Sequence, residues 1–282
     1  MPTFTTSDGV ELTYRDSGPA SGTAAPPLVM LHGWGQTQAM FRHQLTGLAG
    51  GRRVLTLDQR GHGVSEKPHH GYRIARLARD AQEFLDHLGI GQADVLGWSM
   101  GASVWWSVVD QYGTARIRRL VVVDQPAAVA AVPWMSAGDQ RDSGAIFDVA
   151  ALVSLCASLD GPEGRKAATD FVRGMFSGDT DPEVWAFVEQ EIASTPPHAG
   201  VPLLWDHCAQ DWRDVLPRID VPTLVIGCDG SHVDPGSQRY IADRVPDARL
   251  HVFGRDVASS HFPFLENPPA FDAVVAEFLD GS

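Results

Sequence analysis

The chain of 282 residues is 44% hydrophobic and 20% charged, long enough for one sizeable core with an inserted subdomain. Lys and Arg number 22 against 35 Asp and Glu, and the net charge of −13 repels phosphate backbones and anionic lipid, which argues against nucleic-acid and membrane partners and for a small-molecule substrate. No segment approaches the roughly 20 consecutive apolar residues of a membrane span, and the opening MPTFTTSDGV lacks the basic start and apolar centre of a secretory signal, so a cytoplasmic location is expected.

TFTTSDGVELTYRD holds two alternating runs around Ser7-Asp8-Gly9 and predicts an antiparallel hairpin at one edge of a sheet. The runs PLVMLHG, RRVLTLD, ADVLGWS, IRRLVVVD, VPTLVIG and ARLHVFG follow, each rich in Val and Leu and bounded by turn residues. Strands this continuously apolar must be covered on both faces. Amphipathic segments between them, over 72–89 and 268–279, predict the covering helices, so the fold class is α/β with a mostly parallel sheet of eight strands. Between Ala127 and Leu216 strand-like runs vanish and Trp134, Trp185, Trp205 and Trp212 appear. This predicts a helical cap over residues 126–215 on a core formed by 1–125 and 216–282. Cys156, Cys208 and Cys228 show no CxxC or Cys/His ligand spacing, so neither a disulfide framework nor a metal site is expected.

Ligands of such sheets sit beyond the carboxyl ends of the strands, where helix starts present free N–H groups. His32-Gly33-Trp34, Asp58, Ser99, Asp124, Gly227-Cys228-Asp229 and the loop around His261 all fall where a run ends. Gly97-Trp98-Ser99-Met100-Gly101 is a G-x-S-x-G pentapeptide, weak alone but set between a strand and a helix. In that setting it predicts a strained elbow that lifts the Ser99 hydroxyl above the sheet. A serine needs a base, and His261, in ASSHFPFLENP after the last strand, stands where a side chain can reach back to the elbow. The orienting acid is less determined. Asp124 caps its strand directly and is favoured, with Asp229 and Asp234, in a glycine-containing loop after the next strand, as alternatives.

With LHGWG, DQRGHGVSEKP, the elbow and SHFPFLENP in this order, the sequence resembles the α/β-hydrolase fold superfamily over nearly its full length. The resemblance implies that the backbone amides of Trp34 and Met100 form an oxyanion hole, and that no cofactor takes part. One position departs from it: where most similar members carry Asp, three residues after the glycine ending the seventh strand, this chain has Gly230. Some branches place the acid after the sixth strand instead, as Asp124 would be, among them the cofactor-independent dioxygenases of 3-hydroxy-4-quinolones, whose HGW and HFP segments look similar. The expected function is cleavage of an ester-like bond in a small, largely apolar substrate through Ser99, His261 and Asp124. The alternatives are a cofactor-free dioxygenase relying on a His-Asp dyad, and a non-catalytic relative that binds a small apolar molecule. Gln36, Trp134 and Trp185 are the candidate substrate contacts, Gln36 against the alternative of an exposed loop amide and the tryptophans against simply covering the sheet. The turn at Gly61-His62-Gly63, with Arg60 paired to an acid, is expected to be structural, and one of Trp105 and Trp106 is expected in the core.

Overall fold

The computed structural model describes residues 1–19, 25–177 and 180–281. Alternation decides how the apolar runs build a core, because successive side chains of a strand point to opposite faces. The strands are β1 (Thr3–Thr5), β2 (Glu11–Asp16), β3 (Ala25–Leu31), β4 (Arg52–Leu57), β5 (Ala93–Trp98), β6 (Ile117–Val123), β7 (Thr223–Cys228) and β8 (Ala248–Phe253). Val29, Leu31, Val95, Leu120, Val122 and Val225 face one apolar layer, while Leu28, Met30, Leu96, Val121, Val123 and Ile226 face the other. The first layer is closed by α1 (Ile74–His87) and α2 (Met100–Tyr112), and the second by the helix Pro268–Asp280 near the end of the chain. Every residue of β5 and β7 is buried, as strands covered on both sides require.

The sheet has eight strands in the order β1-β2-β4-β3-β5-β6-β7-β8. β1 and β2 pair antiparallel, β2 meets β4 antiparallel, and the remaining pairings are parallel. The expected edge hairpin is present, with Gly9 taking the positive φ of +84° that its turn needs. β5 lies at the centre, between β3 and β6, so the elbow following it stands over the middle of the sheet.

Between β6 and β7 the chain leaves the sheet and forms α3 (Ala137–Ser143), α4 (Val149–Asp160), α5 (Gly164–Arg173), α6 (Pro182–Ile192) and α7 (Pro197–Cys208). A two-stranded ladder joins Ala130–Ala131 to Phe147–Asp148, a feature with no expectation in the sequence because two-residue strands carry no period. Val129, Leu152, Leu159 and Leu204 form a separate apolar cluster among these helices. α8 (Pro235–Ala242) and α9 (Pro268–Asp280) complete the helical layers. Trp105 and Trp106 are both fully buried, one more than expected, because α2 is enclosed between the sheet, α1 and the cap residue Trp212. Among the described residues no helix is long and apolar enough to cross a membrane.

Candidate active site

Ser99 has φ +51° and ψ −126° and occupies the N-cap of α2. A side chain on either flanking glycine would collide with the backbone: a Cβ at Gly97 would lie 2.4 Å from Ala102 N and one at Gly101 2.1 Å from Leu31 O. Only glycine admits so tight a bend between β5 and α2, and the strain is held by the bonds Ser99 N to Val123 O (2.9 Å) and Ala102 N to Ser99 O (2.8 Å). Ser99 is partly exposed, and its Oγ makes no protein hydrogen bond among the described residues.

Asp124, directly after β6, is the other non-glycine with positive φ, at +50°, among the described residues. Its amide donates to Ile226 O at 2.8 Å, which pins the turn to β7, and its carboxylate is fully buried. Oδ2 lies 2.7 Å from His261 Nδ1 and accepts the hydroxyl of Ser231, while Oδ1 has no partner among the described residues. Burial pushes the Asp124 carboxyl up to about 7, against the lowering effect of Ser231. His261 is 2% exposed, and burial lowers its pKa to about 3, so the imidazole is neutral at physiological pH. With Nδ1–H donating to Asp124, the lone pair belongs to Nε2, the arrangement a general base needs. The loop is fixed from several sides: Trp98 Nε1 donates to His261 O at 2.8 Å, and the amides of Ser259 and Ser260 donate to Glu266 Oε2. No direct hydrogen bond joins Ser99 to His261, but both line one cavity.

Asp229 and Asp234 stand elsewhere. Asp234 caps α8 by accepting from Gly236 N, and Asp229 is exposed. Gly230 could not carry an acid in this backbone, since a Cβ there would lie 2.4 Å from Ser259 O. The neighbouring Ser231 turns its hydroxyl to Asp124 instead.

The turn after β3 is supported by two buried neutral histidines. His32 Nε2 accepts from Gln59 N at 3.1 Å, and His62 Nε2 accepts from Gly35 N at 3.2 Å. Burial holds their pKa values down, to about 4 and about 3. His62 thereby has a structural part, as does Arg60, which is paired with Asp80 and Asp8. Neither the Trp34 nor the Met100 amide donates to a protein acceptor among the described residues, so both remain available to an oxygen above Ser99.

Residues 26–268 match the family model of the alpha/beta hydrolase fold. The chain belongs to this family. This α/β hydrolase is 29% identical over 265 residues to a non-heme chloroperoxidase of Kitasatospora aureofaciens, covering 90% of each chain, and 26% identical over 285 residues to 3-oxoadipate enol-lactonase 2 of Acinetobacter baylyi, covering 98% and 97%. Among solved structures it is similar to the enol-lactonase of Burkholderia xenovorans LB400, with a TM-score of 0.83 and 27% identity over 99% of this chain and 100% of that one. The relatives are enzymes, which makes an enzyme the supported reading for this hydrolase also.

The cavity of the hydrolase opens above Ser99 and His261 and is walled by Val129, Phe147, Phe171, Met175, Leu204 and Phe262. Gln36 belongs to this lining and is 1% exposed, so it is not an exposed loop amide. Trp134 and Trp185 are corrected. Trp134 is 80% exposed, in the connection before α3, and does not line the cavity. Trp185 packs edge-on against Phe176 at 5.7 Å, which in turn stacks on Phe262 at 4.0 Å, so it backs the wall from one layer behind. Among the cavity residues that were missed are Phe171, His207 at the end of α7, and His232, whose ring lies edge-on to His261 at 4.6 Å. The helical position of His207 among Leu203, Leu204 and Cys208 was the available signal, because a histidine on an apolar stripe faces inward. Among the described residues no group of three or more His, Cys, Asp or Glu could hold a metal ion.

Proposed function

We propose that this protein hydrolyses the ester or lactone bond of a small, largely apolar substrate, with Ser99 as nucleophile, His261 as general base and Asp124 as its orienting acid. The observation that carries the reading is a strained serine and a carboxylate-bound neutral imidazole lining one apolar cavity. His261 Nε2 takes the Ser99 proton as Oγ attacks the carbonyl carbon, and the amides of Trp34 and Met100 hold the oxyanion. His261 returns the proton to the leaving oxygen, which departs as an alcohol or enol. It then activates water to free the acid from Ser99. The absent Ser99–His261 hydrogen bond is compatible with this order, since such contacts tighten when substrate arrives.

The position of the acid after β6 also favours a second reading, in which His261 and Asp124 deprotonate a 3-hydroxy-4-quinolone and the anion reacts with oxygen while Ser99 only binds. The catalytic inventory is nearly the same, so one substitution separates them. With p-nitrophenyl acetate and butyrate, Ser99→Ala is expected to lower kcat by about 10³-fold or more. Oxygen uptake with the quinolone that survives Ser99→Ala but not His261→Ala, alongside no ester hydrolysis by the parent enzyme, would establish the dioxygenase instead. Stoichiometric binding of an apolar ligand without turnover of either substrate would assign a receptor.

A further inference from the structure

The cavity contains polar groups that the proposed hydrolysis does not use. Gln36 is 1% exposed, and neither its Oε1 nor its Nε2 has a hydrogen-bond partner among the described residues. His207 is 4% exposed, reaches the same cavity from α7, and has no partner for Nδ1. A buried amide left unpaired costs about 1–3 kcal/mol per group, so two such side chains are retained at a cost unless something in the cavity pairs with them. The rest of the wall is mostly apolar, and among the described residues none of its polar side chains, Ser99, Gln125, His232 and His261, is hydrogen-bonded to either, His232 Nδ1 being unpaired as well.

The charge of the missing partner is limited by the lining. Among the described residues the cavity wall contains no Lys, Arg, Asp or Glu. A carboxylate or ammonium group entering here would lose its hydration without gaining a counter-ion. His207 does not supply one readily, because burial lowers its pKa to about 3 and the neighbouring His261 opposes its protonation further. A primary amide side chain both donates and accepts, and a neutral imidazole presents either role according to its tautomer. Gln36 follows the turn that carries the Trp34 amide, whereas His207 comes from the cap, so the two approach a ligand from the core and from its cover.

We propose that Gln36 and His207 form a recognition pair for an uncharged substrate group that both donates and accepts hydrogen bonds, an amide, lactam or hydroxyl next to the apolar body of the substrate, and that the cavity rejects carboxylates of the same shape. The proposal deepens the esterase reading and rests on it for the placement of the scissile bond, but recognition can be measured without turnover. The Ser99→Ala protein is titrated with phenylacetamide and with phenylacetate, followed by calorimetry. The amide binds at least about tenfold more tightly than the anion, a difference of about 1.4 kcal/mol. Adding Gln36→Met, which nearly preserves shape, or His207→Phe collapses that ratio toward one, with thermal unfolding confirming that each variant is folded. For a variant that does not fold, Gln36→Leu and His207→Leu provide the same reading.

An anion that binds as tightly as the amide overturns the proposal. So does a preference that survives in both variants, the result expected if ordered water alone satisfied the two side chains, and so does binding of neither compound. The ratio holding in a protein that hydrolyses no p-nitrophenyl ester would leave the recognition pair standing and remove the esterase reading. In an active enzyme the same pair predicts a kcat/KM ratio of the acetamidoacetate to the hemisuccinate p-nitrophenyl ester well above one, reduced by either substitution.

Discussion

Ser99 and Asp124 are the two described non-glycine residues forced to positive φ, and they end adjacent strands of the sheet. Each was legible because its signal is local: flanking glycines for the serine, and an acid immediately after an apolar run for Asp124. Its partner Ser231 was not legible, since the sequence does not reveal that a loop 107 residues away returns to the same carboxylate. Ser231 is a positioning residue with a signed consequence. Its hydroxyl lowers the pKa of a carboxyl that burial raises, so Ser231→Ala leaves more Asp124 protonated at neutral pH. A protonated Asp124 accepts only weakly from His261 Nδ1 and can donate to it instead, so the imidazole is no longer held in the tautomer with its lone pair on Nε2. We expect kcat/KM at pH 7 to fall about tenfold, the worth of one charge-assisted hydrogen bond, and to recover as pH is raised because the acid limb of the profile has moved upward. A profile lowered equally at every pH would mean that Ser231 only shapes the loop.

Among the elements, the sheet and the presence of helices between β6 and β7 were readable, but the inward side of those helices was not, for a physical reason. Buried strands are apolar along their whole length, so β3 to β7 stand out against the turns that bound them. Cap helices cover a cavity with one face and meet water with the other, and an aromatic residue beside them does not declare its side. Trp134 and Trp185 were misplaced for this reason, while Phe147 and Phe171 line the cavity. Hydrogen bonds join the inserted helical region to the site: the Trp34 indole donates to Gly200 O of α7 at 2.7 Å, and His261 N donates to Met175 O at 3.4 Å. The same tryptophan, whose amide is the proposed oxyanion donor, lines both the cavity above Ser99 and a second one between α4, α5 and α7. In Trp34→Phe the backbone amide remains, but the tie to the cap is lost. We expect KM to rise about three- to tenfold with a smaller change in kcat, as a neutral hydrogen bond of about 1 kcal/mol predicts for a binding surface that loosens. A fall in kcat with KM unchanged would mean that the indole positions the oxyanion turn rather than the cap.

At the scale of the whole molecule, the net charge of −13 says little about how stability responds to acid, because most of that charge is solvated. The response is set by histidines folded in the neutral state. His32, His62 and His207 are 0%, 0% and 4% exposed, with pKa values held near 4, 3 and 3 by burial, against 6.5 when unfolded. Below pH 6.5 the unfolded chain therefore binds protons that the fold refuses, and stability is lost as the pH falls toward 4. Each site contributes up to about 1.4 kcal/mol per pH unit. Asp58, raised by burial, acts in the opposite sense by taking a proton in the folded state above its unfolded value of 3.8. The His261–Asp124 pair contains one group of each kind, and its two effects oppose each other. His232, also held near 3 by burial, adds to this loss, while Asp80, Asp206 and Asp272, raised by burial like Asp58, oppose it. The carboxyls act from their unfolded value of 3.8 upward, whereas the unfolded histidines charge between pH 7 and 5, so urea unfolding at 0.15 M salt, where long-range surface charge is screened, should give a free energy about 3–5 kcal/mol lower at pH 5 than at pH 7. His62→Gln keeps an acceptor for Gly35 N but no longer titrates, and should remove about a quarter of the histidine slope. Stability that is flat or rising toward pH 5 would mean that the buried carboxyls, and not the imidazoles, govern the fold's response to acid.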